Sequence, residues 1–548
     1  QTPLKPRTAK GQAGPSSLLD LVLLFVLIAW LVAALRHDRA GIWNDRQERY
    51  IFMIIITIAA ASTLSALRTL IAPLDTACTW ISDAAGQIRL PSVIESYLLP
   101  AVAFALFCVS AYGRGMSNIG FGFIGLAVIP TTVYALSMDR GAVKWDTVLG
   151  GFGMQVLLAL FGLKFPAGKE FLDMLGKLVT QFLGYALSGE LMVFGQRIVD
   201  PTGKPEDMPF AFKVLPTIIY FAAFVSICYY LGIMQRCILA VSAALKKLMG
   251  ASTIEAVSSA GNIFLGISEV PLLLKPLLPF ASKSELHAIM VCGYASVAGS
   301  AMAGYIGFGI NPEYLILSCL ISAPTSVAMS RLACPSTEAR SAEEDEESAA
   351  RTEEALKSSD GSAVEAAGNG ASEAIGLVAN IAAMLIAFMG LMYFLDVLSG
   401  WFFAKVGYNM NLSVFMGYLM SPFAFIMGVP RGECFAVGLL LAKKLLINEF
   451  VSFMDLGNLI GNRSKLQATV LKGFDIAVIS KRSEVISTFA LCGFANVASI
   501  GITLGALSAI CPNRRSEIAS LVVRSMLVGF AVSMFNGSLA GILIDVES

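Results

Sequence analysis

Apolar stretches long enough to cross a bilayer follow one another through almost the whole of this chain, and two of them are interrupted at mid-length by an acid. A spanning helix needs about 20 mostly apolar residues. Stretches of that kind lie at 16–35, 50–72, 95–113, 119–138, 146–164, 210–234, 285–308, 312–332, 373–398, 411–428, 484–511 and 518–544. Of the 548 residues 56% are hydrophobic and 14% charged, against about a quarter charged in soluble domains. The chain therefore reads as an all-α membrane protein. Lys plus Arg and Asp plus Glu balance at 39 each, which argues against nucleic acid or acidic surfaces as main partners. The ten cysteines stand singly, without CxxC or metal-ligand spacing, and read as small buried apolar residues. The first apolar stretch does not read as a cleaved signal, because further spans follow and no small-residue site closes it.

The two interrupted stretches are about 252–280 and about 433–460. The first reads Gly261-Asn262-Ile263-Phe264-Leu265-Gly266-Ile267-Ser268-Glu269-Val270-Pro271, and the second centres on Ile447-Asn448-Glu449-Phe450-Val451. Broken backbone at membrane depth survives only where protein buries it or it lines a wet cavity. Both are expected to be re-entrant helical hairpins whose tips meet inside the protein. Each precedes a copy of one phrase: Cys292-Gly293-Tyr294-Ala295-Ser296-Val297-Ala298 recurs as Cys492-Gly493-Phe494-Ala495-Asn496-Val497-Ala498. Two related halves with a polar exchange inside the repeat are the layout of a secondary transporter, whose sites form at the repeat interface.

The expected organisation is 1–115 as appended amino-terminal helices, 116–334 as the first half of the core, 335–371 as an acidic solvated linker and 372–548 as the second half. The linker opens with Glu343-Glu344-Asp345-Glu346-Glu347, a composition that favours disorder. Residues 165–208 are amphipathic and suit a helix lying along the membrane surface. Arg140/Lys144, Arg236/Lys246/Lys247, Arg331/Arg340 and Arg514/Arg515 gather on one side of the helix count, the cytoplasmic side by charge bias, whereas Arg36, Arg39, Arg46 and Arg49 fall on the other.

An ionised group at mid-membrane costs at least about 2.5–3.5 kcal/mol, so Glu269 and Glu449 mark a site by default. A carboxylate only accepts hydrogen bonds, so its partners are hydroxyls, amines or a cation. Asn496, which both donates and accepts, Ser499 and the ring of Phe494 join them. Together these groups suit a small neutral molecule with hydroxyls and an aromatic face. No Arg or Lys lies at either hairpin tip to neutralise an anionic substrate. The alternative is that both acids bond neighbouring backbone N–H groups and hold the broken helices. Asn262 and Ser296 fit a Na+ shell completed by backbone carbonyls, and equally fit ordinary interhelical hydrogen bonding.

The first hairpin, Gly261–Leu273, resembles the Asn-Ile-Phe-Val-Gly-Gln-Thr-Glu-x-Pro-Leu segment of concentrative nucleoside transporters. Asn448-Glu449-Phe450-Val451-Ser452-Phe453 is similar to that family's Asn-Glu-Phe-Val-Ala-Tyr hairpin, and Phe489–Asn496 with Ser499-Ile500-Gly501 resembles its most distinctive signature. The likeness runs from about 119 to 544, and the earlier spans match the extra amino-terminal helices of eukaryotic members. The resemblance implies a homotrimeric inverted-repeat core in the plasma membrane that imports a nucleoside with Na+, or with H+ in some members. It places Gly266, Ile267, Ser268 and Glu269 toward the nucleobase with Ala301 nearby. Glu449, Asn496 and Ser499 would hold the ribose, and Phe494 would line the pocket. Asn262, Ser296 and the carbonyls of Leu265 and Val297 would hold sodium.

Two departures matter. Ile267 stands where the family often has Gln, and Ser268 where it has Thr. An apolar wall cannot read a base edge and discriminates weakly, and members with Gly and an apolar residue at these places tend toward purines. The expectation is purine-preferring or broad specificity. No covalent chemistry is expected: the chain shows no Ser-His-Asp set, metal cluster or phosphate-binding Gly loop, and holds only His37 and His287. The rivals are a channel with the acids as a selectivity ring, a membrane hydrolase using them as acid and base, and a carboxylate symporter of similar plan.

Overall fold

The computed structural model describes residues 117–199, 210–267, 269–337, 348, 351, 360–408, 410–468 and 479–544. The spans expected before residue 115, the acidic run Glu343–Glu347 and Ser268 lie outside the described residues. Contacts divide the chain into two compact units, one of residues 1–100 and 394–412 and one of residues 101–393 and 413–548. Of the first, the described residues are the end of a long helix and the turn at Gly407, where φ is +84°. The site belongs wholly to the second.

Every regular element among the described residues is helical, as apolar sequence in a bilayer demands when backbone groups must be satisfied internally. Helices α1 (Ser117–Ala135) and α2 (Trp145–Leu163) come first. Pro166 then opens α3 (Pro166–Gly184), and the chain turns by 76° there. Leu172 and Leu183 of α3 are buried while Lys169, Glu170 and Lys177 are exposed, the two-sided pattern that suggested a surface helix for 165–208. α4 (Ala186–Phe194) follows. α5 (Leu215–Tyr230) and α6 (Ile233–Met249) are also set at 76°, about Gly232, whose φ of +75° an L side chain adopts poorly.

The first hairpin is α7 (Thr253–Gly261) and the short α8 (Glu269–Leu273). Behind it run α9 (Lys283–Ala295) and α10 (Gly299–Gly307), one helix broken at Ser296–Ala298, and then α11 (Pro312–Ala333). α7 and α9 both start with a reciprocal capping box, Ser252 with Glu255 and Ser282 with Glu285. The long α12 (Ala363–Ala404) and α13 (Leu412–Ile426) lead into the second hairpin, α14 (Cys434–Leu446) and α15 (Glu449–Ala468). Then come α16 (Lys481–Leu491), α17 (Val497–Ile510) and α18 (Arg515–Leu543).

Two differences from the sequence reading have local causes. The stretch 484–511 is not one span, because Cys492–Asn496 is unwound between α16 and α17. α12 begins at Ala363, inside the segment expected to be linker: this stretch is rich in Ala, a strong helix former, and Ser362 Oγ accepts the Glu365 N–H at 3.1 Å to cap its start.

Among the described residues four helical runs are long and apolar enough to cross a membrane, or up to six if each bent pair counts as one. α18 forms the spine, touching α1, α9, α11, α16 and α17, while α11 packs along α2. The halves interlock. α7 lies on α9 of its own half, yet α8 is met by α17 of the other; α15 lies on α16 of its own half and is met by α10 of the other.

Candidate functional site

The site grows from four chain interruptions that this crossing brings together. At the first tip, Asn262 ends α7 and its Nδ2 donates to Ser258 O at 2.8 Å. That leaves Oδ1 enclosed and without a hydrogen-bond partner. A buried acceptor of this kind is costly unless something positive meets it. The tip is tied to the first break by one backbone bond, Gly299 N–H to Phe264 O at 3.0 Å. Ser296 is buried in that break and spends its hydroxyl on Cys292 O at 2.9 Å. Leu265 and Val297 are both buried.

The second break joins the first through Phe494 N–H, which donates to Ser296 O at 3.3 Å. Gly493 sits here with φ +146°, and a Cβ on it would come within 2.6 Å of Tyr294 O and 2.9 Å of Ser533 Oγ. Asn496 serves two masters. Its Oδ1 accepts the Ser499 N–H at 2.8 Å and caps α17, while its Nδ2 donates to Glu449 Oε2 at 2.8 Å. Glu449 opens α15 from the second tip, where Asn448 Oδ1 accepts the Val451 N–H at 3.0 Å. Tyr305 of α10 donates to the other carboxylate oxygen at 3.4 Å. Its ring is wedged against Phe453 and Phe450, with centroids 4.3 and 4.9 Å away. Glu449 is thus buried and held by side chains from both halves.

Glu269 differs. It is exposed, and Oε2 accepts the Gly266 N–H at 2.9 Å, closing its own tip. Gly266 leaves little room: a Cβ would stand 3.1 Å from Ala298 Cβ and 3.6 Å from Glu269 Oε1. Ile267 is buried and packs on Gly293 of α9, so it backs the tip as an apolar wall. Ala301 is buried on α10, Ser499 on α17, and Phe494 is half-buried. The structure therefore joins Glu449, Asn496, Ser499 and Phe494 in one network, and links Asn262, Leu265, Ser296 and Val297 through the first tip and break.

Three residues were missed by sequence reasoning. Tyr305 carries no local signal, being an aromatic in an apolar run far from Glu449. Cys319 lies with its Sγ 3.8 Å from Cys492 Sγ and 4.0 Å from Val297 O, behind both breaks. Lys444 lies on the arm of the second hairpin rather than at its tip, and the sequence reading did not weigh it. It is fully buried in α14, its Nζ donates to Ala490 O at 2.8 Å, and it lies 5.5 Å from the Phe530 ring. Its neighbour Lys443 hides it in the sequence, since two adjacent lysines do not stand out as a lone charge would.

Two re-entrant hairpins, two broken helices and polar groups gathered where the halves cross define a secondary-transporter core built from inverted repeats. Family models for a Na+ dependent nucleoside transporter N-terminus, a nucleoside-recognition gate and a Na+ dependent nucleoside transporter C-terminus match residues 124–197, 211–311 and 314–541. The chain is 37% identical over 457 residues to solute carrier family 28 member 3 of Mus musculus, covering 83% of this chain and 62% of that protein. It is 39% identical over 425 residues to sodium/nucleoside cotransporter 1 of Mus musculus, covering 77% and 63%. It thus spans less than two thirds of these relatives. The fold matches the structure of CNTnw in an inward-facing substrate-bound state with a TM-score of 0.70 at 30% identity, over 78% of this chain and 98% of that one. The chain belongs to the concentrative nucleoside transporter family, a family of membrane transporters rather than enzymes.

Proposed function

We propose that this chain is a Na+-coupled symporter that imports nucleosides across the plasma membrane. The observation that carries the reading is the double hold on Glu449 by Asn496 and Tyr305, one partner from each half. An acceptor held by two donors that can swing away is suited to vicinal ribose hydroxyls, which would replace them bond for bond. Asn496 can then turn its amide to either polarity of hydroxyl. Ser499 and Phe494 complete that side, with Gly266, Ile267, Ser268, Glu269 and Ala301 toward the base.

Na+ fits the residues present, because Asn262 Oδ1 is a buried oxygen that lacks a partner. Asn262, Ser296 and the carbonyls of Leu265 and Val297 would hold it, and its charge would draw the first tip and first break together. Ordering there favours the nucleoside-binding arrangement, and by linkage the nucleoside raises affinity for the ion equally. Alternating access would then move the hairpin-bearing unit against a fixed scaffold.

A homotrimer supplies that scaffold. The most apolar stretch of α12 is only 6% buried, against 89% for α11. Ile386 and Leu391, in the part of α12 within the second compact unit, are exposed, a surface suited to two further copies. A small side at Gly266 and the apolar Ile267 support purine-preferring or broad specificity.

Uptake of labelled adenosine into proteoliposomes, with Na+ and H+ gradients imposed separately, tests the reading. Concentration of unchanged nucleoside driven by inward Na+ is expected. Saturation distinguishes it from a channel, and accumulation under H+ alone would replace the coupling ion. Competition by thymidine equal to or stronger than that by adenosine would refute purine preference.

A further inference from the structure

Arg514 is one of the arginines that charge bias sets on the cytoplasmic side, yet its side chain is turned inward and only 20% exposed. It ends the short 3-10 turn Pro512–Arg514 that joins α17 to α18. Nε and Nη2 donate to Glu517 Oε2 of α18 at 2.9 and 2.8 Å, which fixes the plane of the guanidinium. Nη1 then donates to two backbone carbonyls of the other half, Leu278 O at 3.1 Å and Ala281 O. Both lie where the return arm of the first hairpin ends, in and just after the turn Leu278–Phe280, and both residues are buried.

The elements joined by this grip both lead back to the site. The return arm starts at Glu269 on α8, and α17 starts beside Asn496 and Ser499. α8 meets α17, and Arg514 fastens the far end of one to the far end of the other. The second hairpin repeats the pairing by different means. Its return arm α15 meets α10, and Gly457 lies so close to the end of α10 that a Cβ would stand 2.3 Å from Phe308 O. Nearer the site, Tyr305 of α10 packs on Phe453 and Phe450 of α15. That arm is therefore packed on its partner helix from tip to corner, whereas the first arm is hydrogen-bonded at its far end by a side chain.

We propose that Arg514 is the pivot of the first hairpin and a positioning residue for the nucleoside. It pins the far end of the return arm to the corner of α17, so the arm swings at its tip end and Glu269 keeps register with Ser499 across the bound nucleoside. The role rests on the nucleoside reading of the site.

The experiment compares Arg514→Gln and Arg514→Lys by uptake into proteoliposomes and by amide hydrogen exchange of the purified full chain. Gln keeps a donor, but it is shorter and uncharged and cannot hold Glu517 and both carbonyls together. Arg514→Gln is expected to raise the adenosine KM by about tenfold with the maximal rate within about twofold. Half-saturation by Na+ at saturating adenosine should move less than about twofold, because Asn262 and Ser296 lie on α7 and the first break rather than on the return arm. Amides of 269–281 should exchange about tenfold faster, and those of α15 at an unchanged rate. Arg514→Lys keeps the charge and a compact donor, and should move both the KM and the exchange of 269–281 by about threefold. It carries the test if Arg514→Gln does not fold. An unchanged KM, a matching loss in maximal rate, or faster exchange spread over both hairpins overturns the proposal. If the unmutated protein does not accumulate adenosine, the nucleoside reading fails instead, and the exchange of 269–281 still decides whether Arg514 is the pivot.

Discussion

The two hairpins occupy corresponding places in their halves yet hold their acids by different means. The first closes on itself: Glu269 accepts a backbone N–H three residues away and stays exposed. The second depends on others, with Glu449 buried between Asn496 of α16–α17 and Tyr305 of α10. Where the acid needs only its own tip, the tip can change shape alone. Where it needs side chains from both halves, any movement of the tip is felt by both. The first hairpin is therefore built to yield and the second to integrate.

Glu449→Gln probes the contrast most severely. A neutral amide keeps one acceptor oxygen, but the charge is lost and the other oxygen becomes an N–H2 facing the Asn496 or Tyr305 donor, so uptake should fall by about 100-fold or more, whereas Glu269→Gln should cost less. Initial rates with both variants at equal protein decide it, and equal losses would erase the distinction between the tips. Gly493→Ala comes next. Its Cβ would meet Tyr294 O at 2.6 Å at a φ of +146°, so stability should drop by about 2–4 kcal/mol. Gly461→Ala, where nothing lies within 4 Å, is the control, and thermal unfolding of both compares them.

Asn262→Ala removes the oxygen without a partner at the first tip. The Na+ concentration for half-maximal uptake should rise about tenfold, with adenosine KM at saturating Na+ nearly unchanged. A Na+ activation curve checks this, and a matching loss at both ligands would mean that the first tip integrates too. The smallest effect is expected from Ile267→Gln, which gives the wall a polar edge. Relative uptake of adenosine and uridine should shift by about threefold to tenfold toward uridine, read by paired uptake of the two labels.

How far the sequence could be read follows from what each residue announces locally. Glu269 and Glu449 stand out because a charge in an apolar run is conspicuous, and the repeated phrase marks both breaks, since Ser296 and Asn496 fall within its two copies. Tyr305 was not legible. An aromatic in a membrane helix looks like core, and only folding shows that it reaches Glu449 across 144 positions. Lys444 was legible in principle but was masked by its neighbour, Lys443, which pairs with Asp455 and is partly exposed. Two adjacent lysines read as a solvated helix end, although a helix turns successive residues onto different faces. The start of α12 was hidden by composition, because Ala, Glu, Ser and Gly suit a linker as well as a capped helix.

The interlocking of α8 with α17 and of α10 with α15 bears on how such a chain is made. Residues of the first half leave the ribosome before the partners that will seal them exist. Until α17 has been synthesised, α8 lacks its packing partner from the second half, and a half-finished protein must keep that polar tip from lipid. Neither half can therefore complete its packing before the other is made.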